Sequence, residues 1–280
     1  MTADLLLAAR TAVAAGRKIL KIYEAGFSVE EKADGSPLTQ ADSAAHQVIK
    51  AAMATTGLPL LSEEGRDIAY EKRKTWTAFW LVDPLDGTKE FVHRRGEFTV
   101  NIARVEGGRP VQGVIYLPTA ETLYVADGKA GAFRLGGESL AALEETAQTP
   151  DTAAAWSALT AAAERLPLSG AKYRPYTIIG SRSHGTEAVV QFVAEQRKTH
   201  GRIEFISAGS SLKFCRVAEG AADVYPRFGP TMEWDTAAGQ AVAEAAGAEV
   251  VEAQSGRPLV YNKADLLNPW FIVRRQKSRR

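Results

Sequence analysis

The stretch FWLVDPLDGTKEF, residues 79–91, decides the fold, because it joins an apolar strand to a tight acidic turn. The apolar run stops at Asp83, and a second aspartate follows at Asp86. Pro84 and Gly87 are ordinary turn residues, so one acidic turn of this kind is by itself only a loop. The two carboxylates on this bend, at the end of a predicted buried strand, indicate a functional site only when they are considered with other acidic sites in the chain.

Two further acidic sites follow the same pattern. Glu63 and Glu64 end another apolar segment, and Asp235 opens a predicted helix. Taken alone, the glutamates fit a solvated pair at a strand end and Asp235 fits a helix N-cap. Taken together, the three sites are expected to converge, and two like charges about 4 Å apart repel by ~4 kcal/mol at an effective dielectric near 20. Mg²⁺ relieves such repulsion, since it binds carboxylates and carbonyls such as the one exposed at Leu85.

Composition predicts a soluble, cytoplasmic protein with a sizeable core. The chain has 280 residues, 45% of them hydrophobic, and 34 Lys and Arg nearly cancel 33 Asp and Glu. This balance argues against nucleic acid or a membrane as the main partner. Cys215 is the single cysteine, so no intrachain disulfide is possible. The N-terminus reads as an amphipathic helix, and the basic end, residues 274–280, as a solvated tail.

The order of predicted elements divides the chain into two halves. Helices are predicted over residues 3–24 and 39–57, followed by short strands and a β-meander. The Ala-, Thr- and Ser-rich segment 137–170 is the candidate boundary. We therefore expect an α+β domain over residues 1–150 with most metal ligands. Strands and helices alternate over residues 151–280, which predicts an α/β domain with the substrate-binding residues and the last metal ligand.

The motifs SEE, DPLDGTKEF and WDTAAG, in this order, resemble the magnesium-dependent, lithium-sensitive phosphatase superfamily of inositol monophosphatase and fructose bisphosphatase. The resemblance extends from KADGSPLTQAD to LNPWF, which is most of the chain. It implies a layered αβαβα sandwich of two packed halves, with the site in the cleft between them. It also implies a phosphomonoesterase that activates water with two or three Mg²⁺ ions.

The same resemblance assigns roles to individual residues. The metal ligands would be Glu63, Asp83, the carbonyl of Leu85, Asp86 and Asp235. Thr88 would orient the attacking water, Asp42 would support the threonine hydroxyl, and Glu64 would lie behind the metal ligands. Asp42 has a second explanation, because TQAD, residues 39–42, is also a capping-box pattern.

The second half carries the signals for the substrate. GSSLKFCRVAEGAADVYPRFGPTMEWDTAAG, residues 209–239, resembles the branch that removes the 3′-phosphate from adenosine 3′,5′-bisphosphate, as do WLVDPLDGTKEF and GEFTVNIA. By this resemblance Ser210, Lys213 and Arg227 would hold the other phosphate or the ribose, and His184 would lie near the base. The remaining substrate contacts would come from the metal-site residues Gly87, Thr88 and Asp235.

Charge supports a ligand with two phosphates, since each phosphate carries about −1.5 to −2. Two Mg²⁺ ions offset the carboxylates, so the uncleaved phosphate needs cations from the protein. The alternatives are an inositol or sugar phosphatase of the same superfamily and a non-catalytic, metal-dependent anion-binding protein. Thr88 and Asp42 argue against the latter. The SxxK pattern from Ser210 to Lys213 lacks the S-D-N and K-T-G elements of penicillin-recognising hydrolases.

Overall fold

The computed structural model describes residues 2–31, 37–146, 151–168, 174–181 and 186–276. The helices in these ranges are Ala3–Ala25 (α1), Gln40–Met53 (α2), Tyr70–Arg73 (α3), Thr88–Val92 (α4), Glu138–Glu145 (α5), Thr152–Ala162 (α6), Glu187–His200 (α7), Leu212–Glu219 (α8) and Glu233–Ala245 (α9). The strands are Val29–Glu31 (β1), Pro37–Thr39 (β2), Leu60–Ser62 (β3), Ala78–Asp86 (β4), Thr99–Glu106 (β5), Arg109–Leu117 (β6), Thr122–Asp127 (β7), Gly131–Leu135 (β8), Glu164–Arg165 (β9), Tyr176–Gly180 (β10), Ile203–Ser207 (β11), Val224–Arg227 (β12), Ala248–Glu252 (β13) and Phe271–Arg275 (β14).

The first half is built on a seven-stranded sheet with the order β3-β4-β5-β6-β7-β8-β9. Strand β3 runs parallel to β4, and the other neighbours pair antiparallel, which confirms the predicted meander. Strand β4 does not stop at Asp83, as the sequence suggested, but continues to Asp86 through a β-bulge. Because a bulge inserts an extra residue, it bends the strand without ending its pairing.

Helices α1 and α2 cover one face of this sheet. Both were predicted, and α2 is followed by a 3-10 turn that ends at Gly57 in the left-handed conformation. Alternate residues of β4 and β5, such as Trp80 and Ile102, point into this layer and pack with Leu5 and Ile19 of α1. Side chains that alternate along the strands and side chains from one face of α1 therefore pack into one core.

The opposite face of the sheet packs against α8 and α9, which also cover a five-stranded sheet with the order β11-β10-β12-β14-β13. Strand β10 is parallel to β11 and β12, while β14 pairs antiparallel with β12 and β13. Helix α7 lies against β11 and β12. The layers are thus helix, sheet, helix, sheet, helix, which confirms the expected αβαβα sandwich.

The segment chosen as the candidate boundary belongs to the first layers. Helix α6 buries Trp156 and Leu159 in the core under α1, and β9 pairs with β8. The chain therefore leaves the first sheet after Arg165, later than residue 150, and the division into two domains stays a proposal. In the described part of the chain, no helix has the length and apolar character that crossing a bilayer requires.

Helix α9 approaches the first sheet closely at Gly113 of β6. A Cβ at Gly113 would lie 2.6 Å from the carbonyl oxygen of Ala238 and 2.7 Å from the Cβ of Ala241. We expect Gly113→Ala to lower the free energy of unfolding by about 1–3 kcal/mol, because the backbone of α9 must shift to accept the methyl group. Urea denaturation followed by circular dichroism measures this loss.

Gly128→Ala is the matched control, because a Cβ there meets only the Val111 carbonyl oxygen at an ordinary 3.6 Å. If both variants were equally stable, the contact between α9 and β6 would not be the tight one that the structure describes.

Candidate metal centre

The bulge in β4 brings several oxygen atoms to one place. Asp83 pairs with Asn101 of β5 and Asp86 pairs with Thr99, with the extra residue between the two pairs. The Leu85 amide donates to Asp83 Oδ1 at 3.0 Å, and the Leu85 carbonyl accepts from Thr88 Oγ1 at 3.2 Å. The turn predicted from the sequence thus places the two carboxylates and one carbonyl together, as the bulge geometry requires.

Glu63 reaches the same place from the neighbouring strand. Because β3 runs parallel to β4 with Ser62 opposite Val82, Glu63 follows β3 beside Asp83. The carboxyl groups of Glu63 and Asp83 hydrogen-bond each other. Burial raises the pKa of Asp83 well above its ordinary value, and the charges of Glu63, Asp86 and Asp235 raise it further.

Asp235 completes the cluster from the second half. It lies in the first turn of α9, where its Oδ2 accepts from the Met232 amide at 2.9 Å. The N-cap of α9 is Met232, three residues before Asp235, so the interpretation of Asp235 as the N-cap was wrong. Burial, followed by the charge of Asp86, raises the pKa of Asp235 to about 8.

Asp86 lies between the two halves of the molecule. Burial raises its pKa to about 6, while the Lys213 charge and hydrogen bonds from the Ser211 amide and the Asn101 side chain lower it. The Ser211 amide donates to Asp86 Oδ2 at 2.6 Å. Asp86 therefore connects the bulge in β4 to the residues that precede α8.

The four carboxylates fit a divalent cation, because Glu63, Asp86 and Asp235 all raise the pKa of the buried Asp83, and carboxyl groups that approach one another in this way need either protons or a positive ion. Among the residues described, no three acidic, histidine or cysteine side chains are already disposed to hold an ion together. The metal assignment thus rests on the electrostatic effect of Glu63, Asp86 and Asp235 on Asp83 and on the oxygen chemistry of the four side chains.

Thr88 and Asp42 are in contact, as the sequence predicted. Thr88 Oγ1 donates to Asp42 Oδ1 at 3.4 Å or to the Leu85 carbonyl at 3.2 Å. Asp42 is buried, and its Oδ2 accepts from the amide and hydroxyl of Thr39 at 2.9 and 2.7 Å. The capping box is confirmed, so one carboxylate both caps α2 and reaches the threonine beside the bulge. Glu64 lies nearer α2: burial lowers the pKa of His46 in that helix, and the charge of Glu64 opposes the lowering.

Lys213 and Ser210 lie next to Asp86. Lys213 is only 5% exposed, and its Nζ donates to the carbonyls of Ser210 at 2.6 Å and Ala208 at 3.3 Å. Burial lowers the pKa of Lys213 to about 8, against the opposing effect of Asp86. The ammonium group is more deeply buried than the sequence suggested, and it holds the loop that carries Ser210.

Arg227 borders a cavity at the carboxyl ends of three parallel strands. The cavity has a volume of about 200 Å³ and is lined by residues that end β10, β11 and β12, among them Gly180, Ser207 and Arg227. Carboxyl ends of parallel strands are where α/β folds bind ligands. Arg227 Nε is buried and has no hydrogen-bond partner among the described residues, and the charge of Arg227 offsets part of the rise in the pKa of Asp235. His184 lies outside the described residues.

Sequence reasoning missed the polar residues that join the halves, namely Thr99, Asn101 and Ser211. The available signal was the alternation in β5, where Thr99 and Asn101 share one face while Val100 and Ile102 occupy the other. Buried polar side chains at period two in an apolar strand indicate a polar partner across the interface.

Comparisons with known proteins agree with this geometry. The model of the inositol monophosphatase family matches residues 3–277. The 3′(2′),5′-bisphosphate nucleotidase CysQ of Escherichia coli (strain K12) is 43% identical over 265 residues, covering 92% of this chain and 94% of the relative. CysQ of Shigella flexneri is 42% identical with the same coverage. The crystal structure of CysQ from Bacteroides thetaiotaomicron has a TM-score of 0.85 and 47% identity, covering 98% of both chains.

Removing metal ions should make the stability of the folded protein fall as pH rises. The raised pKa values of Asp86, about 6, and Asp235, about 8, mean that the folded protein holds protons that the unfolded chain has released. We expect the melting temperature in EDTA to fall between pH 5 and pH 8, and Mg²⁺ to restore it more at pH 8. Differential scanning calorimetry measures both effects.

Asp83→Asn keeps the oxygen that accepts from the Leu85 amide and removes one charge, so its melting temperature in EDTA at pH 8 should exceed the wild-type value. The variant should also gain little stability from Mg²⁺. The exposed Asp67, changed to Asn, is the control and should behave as wild type.

For the pH experiment on the wild-type protein, a melting temperature in EDTA that rises toward pH 8 would contradict the convergence of carboxylates.

Proposed function

The chain belongs to the inositol monophosphatase family, and from this premise we propose that it is a Mg²⁺-dependent 3′(2′),5′-bisphosphate nucleotidase. It hydrolyses the 3′-phosphate of adenosine 3′,5′-bisphosphate to AMP and phosphate. The names of relatives at 42–43% identity support the substrate class. The observation that carries the chemistry is the raised pKa of the buried Asp83, on which the charges of Glu63, Asp86 and Asp235 act, close to Thr88 and its partner Asp42.

The family implies a metal-dependent reaction, and this chain offers oxygen ligands for two Mg²⁺ ions. The ligands are the carboxylates of Glu63, Asp83, Asp86 and Asp235 and the carbonyl of Leu85. Bound Mg²⁺ supplies Lewis acidity toward water and phosphate oxygens and neutralises the charge of the carboxylates. The family resemblance implies that Asp83 would help to hold both ions, and the charges of Glu63, Asp86 and Asp235 all act on this carboxylate.

Thr88 orients the water that attacks phosphorus. In this proposal the Thr88 hydroxyl gives its one hydrogen to Asp42 and not to the Leu85 carbonyl, which would serve the metal. The oxygen lone pairs of Thr88 are then left to accept a hydrogen from water. Two hydrogen bonds from Thr39 hold Asp42 Oδ2 in place, which leaves Oδ1 to accept from Thr88. The water oxygen bonds to phosphorus while the bond to the 3′-oxygen breaks, so the reaction depends on positioning and charge neutralisation.

The second half binds the part of the nucleotide that does not react. Ser210, Lys213 and Arg227 supply one hydroxyl and two cations for the uncleaved phosphate, and the cavity beside Arg227 takes the nucleoside. The cavity contains the half-exposed ring of Phe205, an apolar surface suited to stacking against a base. Arg227 acts electrostatically on both Lys213 and Asp235, which supports a position between the cavity and the metal centre.

The proposal is tested by phosphate release from adenosine 3′,5′-bisphosphate, its sulfated precursor and inositol 1-phosphate, each with and without Mg²⁺. We expect rapid Mg²⁺-dependent release from the nucleotides and slow release from inositol 1-phosphate. Asp83→Asn should abolish release while the protein stays folded. A preference for inositol 1-phosphate would instead identify an inositol phosphatase, and no release from any ester would favour an anion-binding protein.

Arg227→Ala should weaken only substrates that carry a second phosphate. We expect kcat/KM for adenosine 3′,5′-bisphosphate to fall by the equivalent of ~1.5–3 kcal/mol, the usual worth of a charge-assisted hydrogen bond. Adenosine 3′-monophosphate differs only in lacking the 5′-phosphate, so its smaller kcat/KM should change little. Steady-state kinetics on the two substrates measures the difference.

Arg274→Ala is the matched control, because Arg274 belongs to the same sheet but is half-exposed and pairs with Glu249. It should leave both rates unchanged. Equal losses on the two substrates in Arg227→Ala would mean that Arg227 supports the site generally and does not recognise the second phosphate.

A further inference from the structure

Two polar side chains of β5 are fully buried at the junction of the two halves. Thr99 is 0% and Asn101 is 1% exposed, so neither can touch a substrate. Both face the loop 208–211, which precedes α8 and carries Ser210. A buried polar side chain has to be hydrogen-bonded to be tolerated, so its partners reveal its role.

The partners form a continuous network from Asp86 to Ser210. Asn101 Nδ2 donates to Asp86 Oδ2 at 3.2 Å, and Ser211 Oγ donates to Asn101 Oδ1 at 2.8 Å. Thr99 Oγ1 lies 2.8 Å from Ser211 Oγ and 3.1 Å from Ser210 Oγ. The network therefore connects a carboxylate of the metal centre to a hydroxyl of the proposed phosphate subsite.

The chemistry of the groups fixes the direction of the part of this network that runs from Asp86 through Asn101 to Ser211. An ionised Asp86 only accepts, so Asn101 has to present its NH₂ group to Asp86 and its oxygen to the loop. That oxygen takes the hydrogen of Ser211. Thr99 has one hydrogen, and Asn101 Oδ1 at 3.1 Å and the hydroxyls of Ser210 and Ser211 are its possible acceptors. When Thr99 gives this hydrogen to Ser210, the hydrogen of Ser210 is available to an acceptor outside the network. A phosphate oxygen is such an acceptor.

The backbone of the loop is held by the same half of the molecule. The Gly209 amide donates to Glu97 Oε2 at 2.8 Å, and the Ser211 amide donates to Asp86 Oδ2. Ser210 lies between these two bonds with a φ of 44°, a left-handed conformation that a residue other than glycine keeps only where its surroundings hold it. The loop backbone is thus held by Glu97 and Asp86 from the first half, together with the Lys213 ammonium group, and its serine side chains are held by Thr99 and Asn101 of β5.

We propose that Thr99 and Asn101 are positioning residues that hold loop 208–211 in the shape required to bind the uncleaved phosphate. Through Asp86 they fix this subsite relative to the metal centre. The preference for a substrate with two phosphates then depends on two side chains that touch no part of it. The proposal rests on the proposed nucleotidase function and adds the residues that set its selectivity.

The test compares Thr99→Val, which removes the hydroxyl and keeps the shape, with Thr99→Ser, which keeps the hydroxyl. We expect Thr99→Val to lower the ratio of kcat/KM for adenosine 3′,5′-bisphosphate over adenosine 3′-monophosphate about tenfold, mainly by raising KM for the bisphosphate. Thr99→Ser should restore most of the ratio. Thr177→Val is the matched control, because Thr177 is a buried strand threonine whose hydroxyl donates to the Pro175 carbonyl.

A binding measurement separates this proposal from the proposed function. The melting temperature of wild type and Thr99→Ser should rise with 5′-AMP, which carries only the uncleaved phosphate, and Thr99→Val should lose most of that rise while keeping the rise with Mg²⁺. If wild type cleaves neither substrate, the proposed function fails, and the 5′-AMP result still decides the role of the network.

If Thr99→Val does not fold, Ser211→Ala replaces it in the same measurements. This variant removes a hydroxyl of the network and keeps the backbone amide that donates to Asp86. Equal losses on both substrates, or a Thr99→Ser variant as impaired as Thr99→Val, would overturn the proposal. An unchanged response to 5′-AMP in Thr99→Val would overturn it as well.

Discussion

Repulsion among carboxylates that converge is the constraint on which the rest of the structure depends. The net stability of a domain is only about 5–15 kcal/mol, and each close pair of like charges costs a substantial part of it. Flexible loops would let such groups move apart, so each is carried by an element that packing holds in place. Asp83 and Asp86 lie on a bulged strand inside a seven-stranded sheet, Glu63 follows the strand beside it, and Asp235 begins a helix packed between two sheets.

The carboxylates come from both halves of the molecule, so the cluster forms only if the two halves are held at a fixed distance. Contacts at the interface between the halves hold them there. Helix α9 approaches β6 closely at Gly113, which sets the position of Asp235. Glu219 of α8 is buried and accepts hydrogen bonds from Tyr124 and Arg134 of the first sheet, each at 2.8 Å. A buried ion pair adds little net stability, but its geometry is demanding. These contacts therefore fix the position of α8 relative to the first sheet. Loop 208–211 leads directly into α8, so the same contacts fix the position of this loop.

The sequence predicted those features that depend on local chemistry. Periodicity gave the helices and strands, and the acidic turn indicated the oxygen cluster at Asp83. The sequence alone could not show that segment 152–165 joins the first layers, because the pairing of β9 with β8 depends on contacts between residues distant in the chain. For the same reason the sequence could not show the burial of Lys213 or the hydrogen-bond network through Thr99. Each depends on which surfaces meet when the two halves pack, and composition and spacing carry no direct record of that.

The burial of Lys213 has a consequence for how the site handles charge. An ammonium group loses hydration when it is buried, and here the opposing charges of Asp86, Glu90 and Glu97 offset part of that loss. The desolvation has therefore occurred before any ligand arrives, as in sites where fixed charges are oriented in advance. Arg227 differs, because only its Nε is buried without a partner among the described residues, while its Nη2 donates to the Pro230 carbonyl at an exposed position. One cation that has already lost its water and one that is partly exposed, beside carboxylates that fit metal ions, suit an anion with two separated charges better than an anion with one.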